Sequence, residues 1–188
     1  MTIHFFVPGT AKPAGSKSAF PYAKASGSLG VRVADQSGKP GKEWRRIVQI
    51  YAKQAFLGKP LIPHNYPLRV EMIFYRPRPQ SHFTASGAIK PSAPRYPTSR
   101  PDVLKLARAV EDALTGVIYE DDSSIVNEVL RKEWASINTG HGAAGVLVQI
   151  DFFRHGDNFA GVIMIARGAN VVRALQFAAI RALDRKST

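Results

Sequence analysis

The strongest constraint on how this chain folds is one short amphipathic segment, from Asp102 to Leu114, bounded by Pro101 and Gly116. Its apolar side chains recur at the spacing of one helix face: Val103, Leu106, Ala107, Val110, Ala113 and Leu114. Proline is tolerated in the first turn of a helix, and glycine commonly ends one. The pattern therefore predicts a helix roughly 18–20 Å long that buries one face.

The rest of the chain alternates between strand-like and helix-like segments. Runs with strand character lie at 3–7, 67–75, 125–134 and 146–153, and a glycine-rich turn joins the last two. Helical spacing recurs at 43–57 and 170–183, whereas 9–42 and 76–101 are expected to be loops. We expect an α/β (α+β) fold, with a single domain over residues 1–155 and a C-terminal helical extension over residues 156–188.

Composition excludes several classes of site. The chain has 188 residues, 45% of them hydrophobic, so it can bury a core; it has no cysteine, which excludes disulfides, Cys zinc sites and Cys nucleophiles. The five histidines show no metal-binding spacing. No apolar run reaches the roughly 18 residues of a membrane span, and the first residues lack the features of a signal peptide. We therefore expect a cytoplasmic protein with no membrane partner.

The charge is large and unevenly distributed. Lys and Arg number 26 against 14 acids, which gives a net charge of +12, yet seven of the fourteen acids fall between Glu111 and Glu133. A strongly basic protein attracts polyanions, and nucleic acid is the first candidate. A local group of carboxylates within such a chain suits a divalent cation such as Mg²⁺, which prefers hard oxygen ligands.

One stretch carries a more specific signal, because it resembles the signature of the RusA family of Holliday-junction resolvases, common in bacteria and their phages. The matching positions are Pro101-Asp102, Lys105-Leu106, Arg108, Asp112-Ala113-Leu114, Gly116, Asp121-Asp122, Ile125-Val126 and Lys132. The opening strand and the loop through Lys17 are also similar to the family's. The resemblance covers about residues 3–153.

The resemblance implies a RusA-like mixed sheet with packed helices and a homodimer that cuts branched DNA, such as a four-way junction. The implied activity is an endodeoxyribonuclease that hydrolyses phosphodiesters with Mg²⁺, or alternatively Mn²⁺. By position, Asp102 and Asp122 match catalytic, metal-binding aspartates, and Asp121, the other member of the Asp-Asp pair, is a third implied metal ligand. Arg108 stands where a catalytic lysine is usual; it keeps the charge but not the shape of the ammonium group.

The sequence departs from the family pattern at Leu104, which occupies the position of a second aspartate. Leucine cannot bind Mg²⁺, and this position lies off the apolar stripe. Three explanations stay open: Asp112, Asp121 or Glu111 substitutes in the site; the activity is weak; or the chain is a catalytically impaired relative that still binds DNA. A direct replacement by Glu111 is not favoured, because it lies about 10 Å farther along the same helix face.

Basic side chains spread along the chain form a candidate nucleic-acid surface: Lys12, Lys17, Arg100, Lys105 and Lys132. Each alone is more often a solvated charge. A third class, a basic RNA-binding or assembly protein, is less favoured because the chain has no recognisable aromatic RNA-binding motif.

Overall fold

The computed structural model describes residues 2–15, 17–24, 26–35, 37–136 and 143–152. Within these residues the chain forms six strands and two α-helices: β1 (Thr2–Pro8), β2 (Lys17–Ala23), β3 (Leu29–Asp35), α1 (Gly38–Ala55), β4 (Leu68–Arg76), α2 (Val103–Leu114), β5 (Ile125–Trp134) and β6 (Gly145–Phe152). The predicted extension over residues 156–188 lies outside the described residues.

The main sheet has four strands in the order β1-β6-β4-β5. Strand β6 is antiparallel to both of its neighbours, β1 and β4, whereas β4 and β5 are parallel. The sheet is therefore mixed, and with its two helices it confirms the expected α/β class. Strands β5 and β6 follow each other in the chain, but β4 lies between them, so the predicted turn does not make a hairpin of this pair.

The core lies where the two helices meet the sheet. Helix α1 packs against α2 and β1, and α2 also contacts β4 and β5. The buried residues of helix α1 recur at helical spacing: Gly41, Trp44, Val48 and Ala52. Strand β4 buries alternate residues on one face: Leu68, Val70, Met72 and Phe74. Burial of each large apolar side chain contributes about 1.5–3 kcal/mol relative to exposure, which fixes both helices on this face.

The other face of the sheet carries a network of ion pairs. Arg69 lies 3.1 Å from both Asp151 and Glu71, and Arg131 also pairs with Glu71. Because side chains alternate along a strand, these groups on β4 point away from the core. The charges of these four residues are therefore paired within the sheet.

The prediction of a loop over residues 9–42 is wrong. This segment contains the β2–β3 hairpin, and α1 begins at Gly38 rather than at residue 43. Apolar periodicity does not reveal the first turn of α1, because this turn contains Pro40 and Gly41 rather than large apolar residues. Proline is accepted in the first turn of a helix. A Cβ at Gly41 would lie 2.4 Å from the Ser37 Cβ, so the close approach of these two residues requires glycine.

Candidate metal centre and nucleic-acid interface

Asp102 lies immediately before α2, at the N-cap position. Its backbone is extended, with φ −66° and ψ 146°, and its carbonyl accepts a hydrogen bond from the Leu106 amide at 3.2 Å. Its side chain is exposed and accepts no capping hydrogen bond from the described part of α2. The carboxylate therefore faces solvent, where a cation can reach its oxygens.

The loop before Asp102 is held against the end of β5. The Lys132 ammonium donates to the carbonyls of Ser99 at 2.9 Å and Pro101 at 3.2 Å. Trp134 donates from its indole nitrogen to the Pro94 carbonyl at 2.9 Å, and the Arg78 guanidinium lies 5.0 Å from the Trp134 ring centroid. These contacts fix where the chain enters α2.

The chain folds back along α2 after the helix ends. Gly116 has φ +73°, a left-handed conformation that favours glycine, and its amide donates to the Tyr119 carbonyl at 2.8 Å. The hydroxyl of the buried Tyr119 then donates to the Glu111 carbonyl at 3.3 Å, one turn back along the helix. This reversal brings the Asp121-Asp122 turn to the level of Glu111.

Carboxyl groups gather at the C-terminal half of α2. Burial, a hydrogen bond to Glu128 and the negative charges of Glu128, Asp122 and Asp112 raise the pKa of Glu111 to about 8. Two carboxyl groups hydrogen-bond each other only when one of them holds a proton. Burial and the charges of Glu111 and Asp122 also raise the pKa of Tyr119. The surface at this end of the helix is therefore negatively charged.

The two acids just before Asp122 are already engaged. Asp121 accepts hydrogen bonds from the Ser123 hydroxyl and from the Ser123 amide, the latter at 2.8 Å, and these bonds lower the pKa of this aspartate. Glu120 accepts from the His64 amide at 3.1 Å, with the His64 ring at 3.2 Å, and these contacts lower its pKa. Asp122 is exposed and starts a short 3₁₀ turn that leads into β5.

The predicted metal-site aspartates occupy different ends of α2. Asp102 precedes Glu111 by nine residues, about 13 Å along a helix axis, and it is not among the groups whose charge acts on Glu111. Within the described residues, no three His, Asp or Glu side chains stand close enough to hold a metal ion. The assignment of Asp102, Asp121 and Asp122 to one site stays a prediction.

One face of α2 connects the two ends. Leu104, Arg108 and Glu111 are spaced i, i+4 and i+7, so they share a face. Leu104 is 68% exposed, which agrees with its expected position off the apolar stripe, and Arg108 is exposed as well. The face therefore presents an apolar side chain, a cation and a carboxyl in sequence.

The candidate DNA-binding cations have different surroundings. Lys12, Arg100 and Lys105 are exposed. Lys132 is partly buried and engaged by two backbone carbonyls, so it positions the loop before Asp102 as described above. The side chain of Lys17 lies outside the described residues. Three of the five predicted cations thus stand exposed to a polyanion.

Sequence reasoning missed Glu128. It lies on β5 four residues before Lys132, so both side chains face the same side of the strand, and that side contacts α2. The sequence did contain one signal for Glu128. It and Lys132 are an even number of residues apart on a strand, which predicts that both side chains lie on the same side of that strand. Without the packing of β5 against α2, the alternation does not indicate which carboxyl group Glu128 meets.

Neither helix in the described part of the chain has the length and apolar character of a membrane span. A search of the curated proteins finds no match. A family model described as endodeoxyribonuclease RusA matches residues 18–150, which is more than half of the chain.

Proposed function

The chain belongs to the RusA endodeoxyribonuclease family, and on that basis we propose that it is a metal-dependent, structure-selective endonuclease that resolves four-way DNA junctions. Proteins of this family are endodeoxyribonucleases that bind branched DNA. The net charge of +12 supports a polyanionic substrate, because each phosphate that a protein neutralises releases a counterion.

The observation that carries the proposal is the concentration of negative charge beside the C-terminal half of α2, where Glu111 hydrogen-bonds Glu128 and feels the charge of Asp122. Such a group is costly in the absence of a cation, since Glu111 must keep a proton well above its usual pKa. A divalent cation removes that requirement, because it favours the ionised form of every carboxylate around it. The donor set is made of hard oxygens and suits Mg²⁺, with Mn²⁺ as the alternative.

We propose the following ligands. Asp122 is the central one, with Glu111 and Glu128 as neighbouring carboxylates, and Asp121 is retained from the resemblance. Asp102, about 13 Å away along α2, is retained from the resemblance as a catalytic aspartate at the other end of the helix rather than as a ligand of the same ion. When bound, the cation supplies a Lewis acid that lowers the pKa of water and stabilises charge on the phosphate.

The basic side chains hold the substrate. Arg108 lies one turn before Glu111 on the same face, where its guanidinium is placed to bind a phosphate oxygen and offset developing negative charge. Arg100 and Lys105 extend the positive surface towards the N-terminus of α2. A homodimer would present two such sites, as symmetric cleavage of a four-way junction requires.

The test is cleavage of a synthetic four-way junction with Mg²⁺ or Mn²⁺, compared with a chelator. The proposal expects paired nicks with the metal and none without it. The variant Asp122→Asn should abolish cleavage while junction binding stays at or above the wild-type level, because one negative charge is removed. Glu43→Gln, which removes an acid ion-paired to Arg46 on α1, is the matched control and should cleave normally. Intact binding without nicks in the wild type would contradict the proposal.

A second function is favoured by one observation: the exposed Leu104 supplies no carboxylate where the family pattern has one. On this alternative the chain is a catalytically impaired RusA-like protein that binds junctions. Leu104→Asp should then raise cleavage from a low wild-type rate. If the wild type already nicked junctions efficiently and Leu104→Asp did not increase cleavage, the catalytically impaired alternative would be excluded.

A further inference from the structure

The β2–β3 hairpin exposes more apolar surface than its place in the fold requires. It pairs only within itself among the described strands and is separate from the four-stranded sheet. Phe20 is 51% exposed, Tyr22 49%, Leu29 80% and Val31 68%. Large side chains this exposed on a two-stranded element indicate a surface that binds something.

The hairpin register sorts these side chains onto two faces. Phe20 and Tyr22 are two residues apart and share one face, and Lys24 follows at the same spacing. Leu29 and Val31 pair with Ala23 and Pro21, so they lie on the opposite, aliphatic face. The aromatic face therefore presents two rings and then a cation.

Gly30 holds the aromatic face in place. It pairs with Tyr22, and a Cβ built on it would lie 2.8 Å from two atoms of the Tyr22 ring and 3.0 Å from the Cε of Lys24. The ring and the lysine stem therefore lie together against bare backbone. Any larger residue at position 30 would displace both side chains.

The surrounding charge points to nucleic acid as the occupant. Residues 9–42 contain six Lys or Arg and one acid, Asp35. Aromatic rings amid cations are the usual means of binding exposed bases, which stack on the rings while the cations contact phosphates.

The spacing of the two aromatic rings indicates which conformation of nucleic acid the face can bind. Phe20 and Tyr22 are about 6.6 Å apart along the strand, nearly twice the 3.4 Å step of a stacked DNA strand. Two neighbouring bases reach both rings only if they are unstacked, as nucleotides at a branch point can be.

We propose that the face formed by Phe20, Tyr22 and Lys24 binds unstacked nucleotides at the branch point of the DNA junction. The inference rests on the proposed function for its substrate class. It adds a contact that distinguishes branched DNA from linear duplex and that lies outside the carboxylate site.

The experiment measures binding without divalent metal, so that it is independent of cleavage. The probes are a four-way junction with a fluorescent base analogue at the branch and a linear duplex of equal length. Phe20→Ala with Tyr22→Ala should weaken junction binding about tenfold or more, leave duplex binding unchanged and remove the fluorescence response at the branch. Phe20→Tyr with Tyr22→Phe should restore both signals.

The control is Leu29→Ala with Val31→Ala, which removes apolar surface from the opposite face and should change neither probe. Unchanged junction binding in the aromatic double variant would overturn the proposal, and so would an equal loss on both probes. A smaller sedimentation coefficient of that variant in the absence of DNA would overturn it too, because the hairpin would then be a self-association arm. If the wild type did not cleave junctions but the binding results were as expected, only the proposed function would be refuted, and the proposed role of the hairpin would stand.

Discussion

The two ends of α2 differ in charge although one short helix joins them. At the N-terminal end Asp102 stands among Arg100, Lys105 and Lys132, so this end is positive overall. At the C-terminal end Glu111 hydrogen-bonds Glu128 and feels the negative charge of Asp122. The first end suits a phosphate backbone and the second suits a cation.

In the proposed nuclease, the two ends of this helix would have separate roles. Opposite charges placed together would pair and neutralise each other, as Arg45 and Asp112 do at 3.7 Å. Charges kept about 13 Å apart along a helix stay exposed to separate ligands. The account therefore predicts different consequences for variants at the two ends.

The largest effect is expected for Asp122→Asn at the acidic end. Removal of the central carboxylate should lower the cleavage rate about 100-fold or more, the size typical of losing a group that stabilises transition-state charge. Single-turnover cleavage of a junction with saturating protein measures it. Asp102→Asn, from the basic end, should lower the rate as well but weaken Mn²⁺ binding less. Equal loss of Mn²⁺ in both variants would break the comparison between the two ends.

The next largest effect is on the free energy of unfolding, and it should differ between two leucines at the basic end of α2. Leu106 is fully buried, so Leu106→Ala should cost about 2–5 kcal/mol of unfolding free energy. Leu104 is 68% exposed, so Leu104→Ala should stay within about 0.5 kcal/mol. Urea denaturation followed by circular dichroism measures both. A large cost at Leu104 would show that it packs against another surface in solution.

A smaller effect is expected from the titration of Glu111 in the absence of metal. Its pKa is raised from 4.5 to about 8 in the fold, so the neutral form is favoured there. Its contribution to stability is therefore full below about pH 4.5 and is lost as the pH rises towards about 8. Partial exposure and solvent screening keep the effect below the full linkage value.

Thermal melts across this pH range check that expectation. The wild type should lose melting temperature as the pH rises, and Glu111→Gln should lose less. Mn²⁺ added at high pH should restore the wild type, because the cation favours the ionised carboxylate. If the melting temperatures of the two proteins changed with pH by the same amount, the pKa of Glu111 would not be raised in the fold.

The smallest effect is expected at the basic end. Lys105→Ala should weaken junction binding a few-fold and reduce the salt slope of binding by about 1, since one phosphate contact is lost. Fluorescence anisotropy over a range of salt concentrations measures the slope. An unchanged slope would place the DNA away from this end of α2.

The sequence predicted elements well where they bury a face. The apolar stripe placed α2 within one residue of its observed start, and strand β5 matches residues 125–134. Both elements contact the core, so their apolar periodicity is strong. The RusA-like fold class was also correct.

Elements and contacts that depend on exposure or tertiary packing were not predicted. The β2–β3 hairpin was missed because Phe20 and Leu29 face solvent, which leaves no alternation between buried and exposed positions. Strand order was missed because β4 separates β5 from β6. The role of Glu128 depends on β5 packing against α2, which no local pattern encodes.

The central claim is that Asp122 with Glu111 forms a divalent-cation site at the acidic end of α2. The most direct measurement is Mn²⁺ binding by electron paramagnetic resonance, with wild type, Asp122→Asn and the ion-paired control Glu43→Gln on α1. The account predicts that the wild type and Glu43→Gln bind Mn²⁺ alike, and that Asp122→Asn does not. Undiminished Mn²⁺ binding by Asp122→Asn would contradict it.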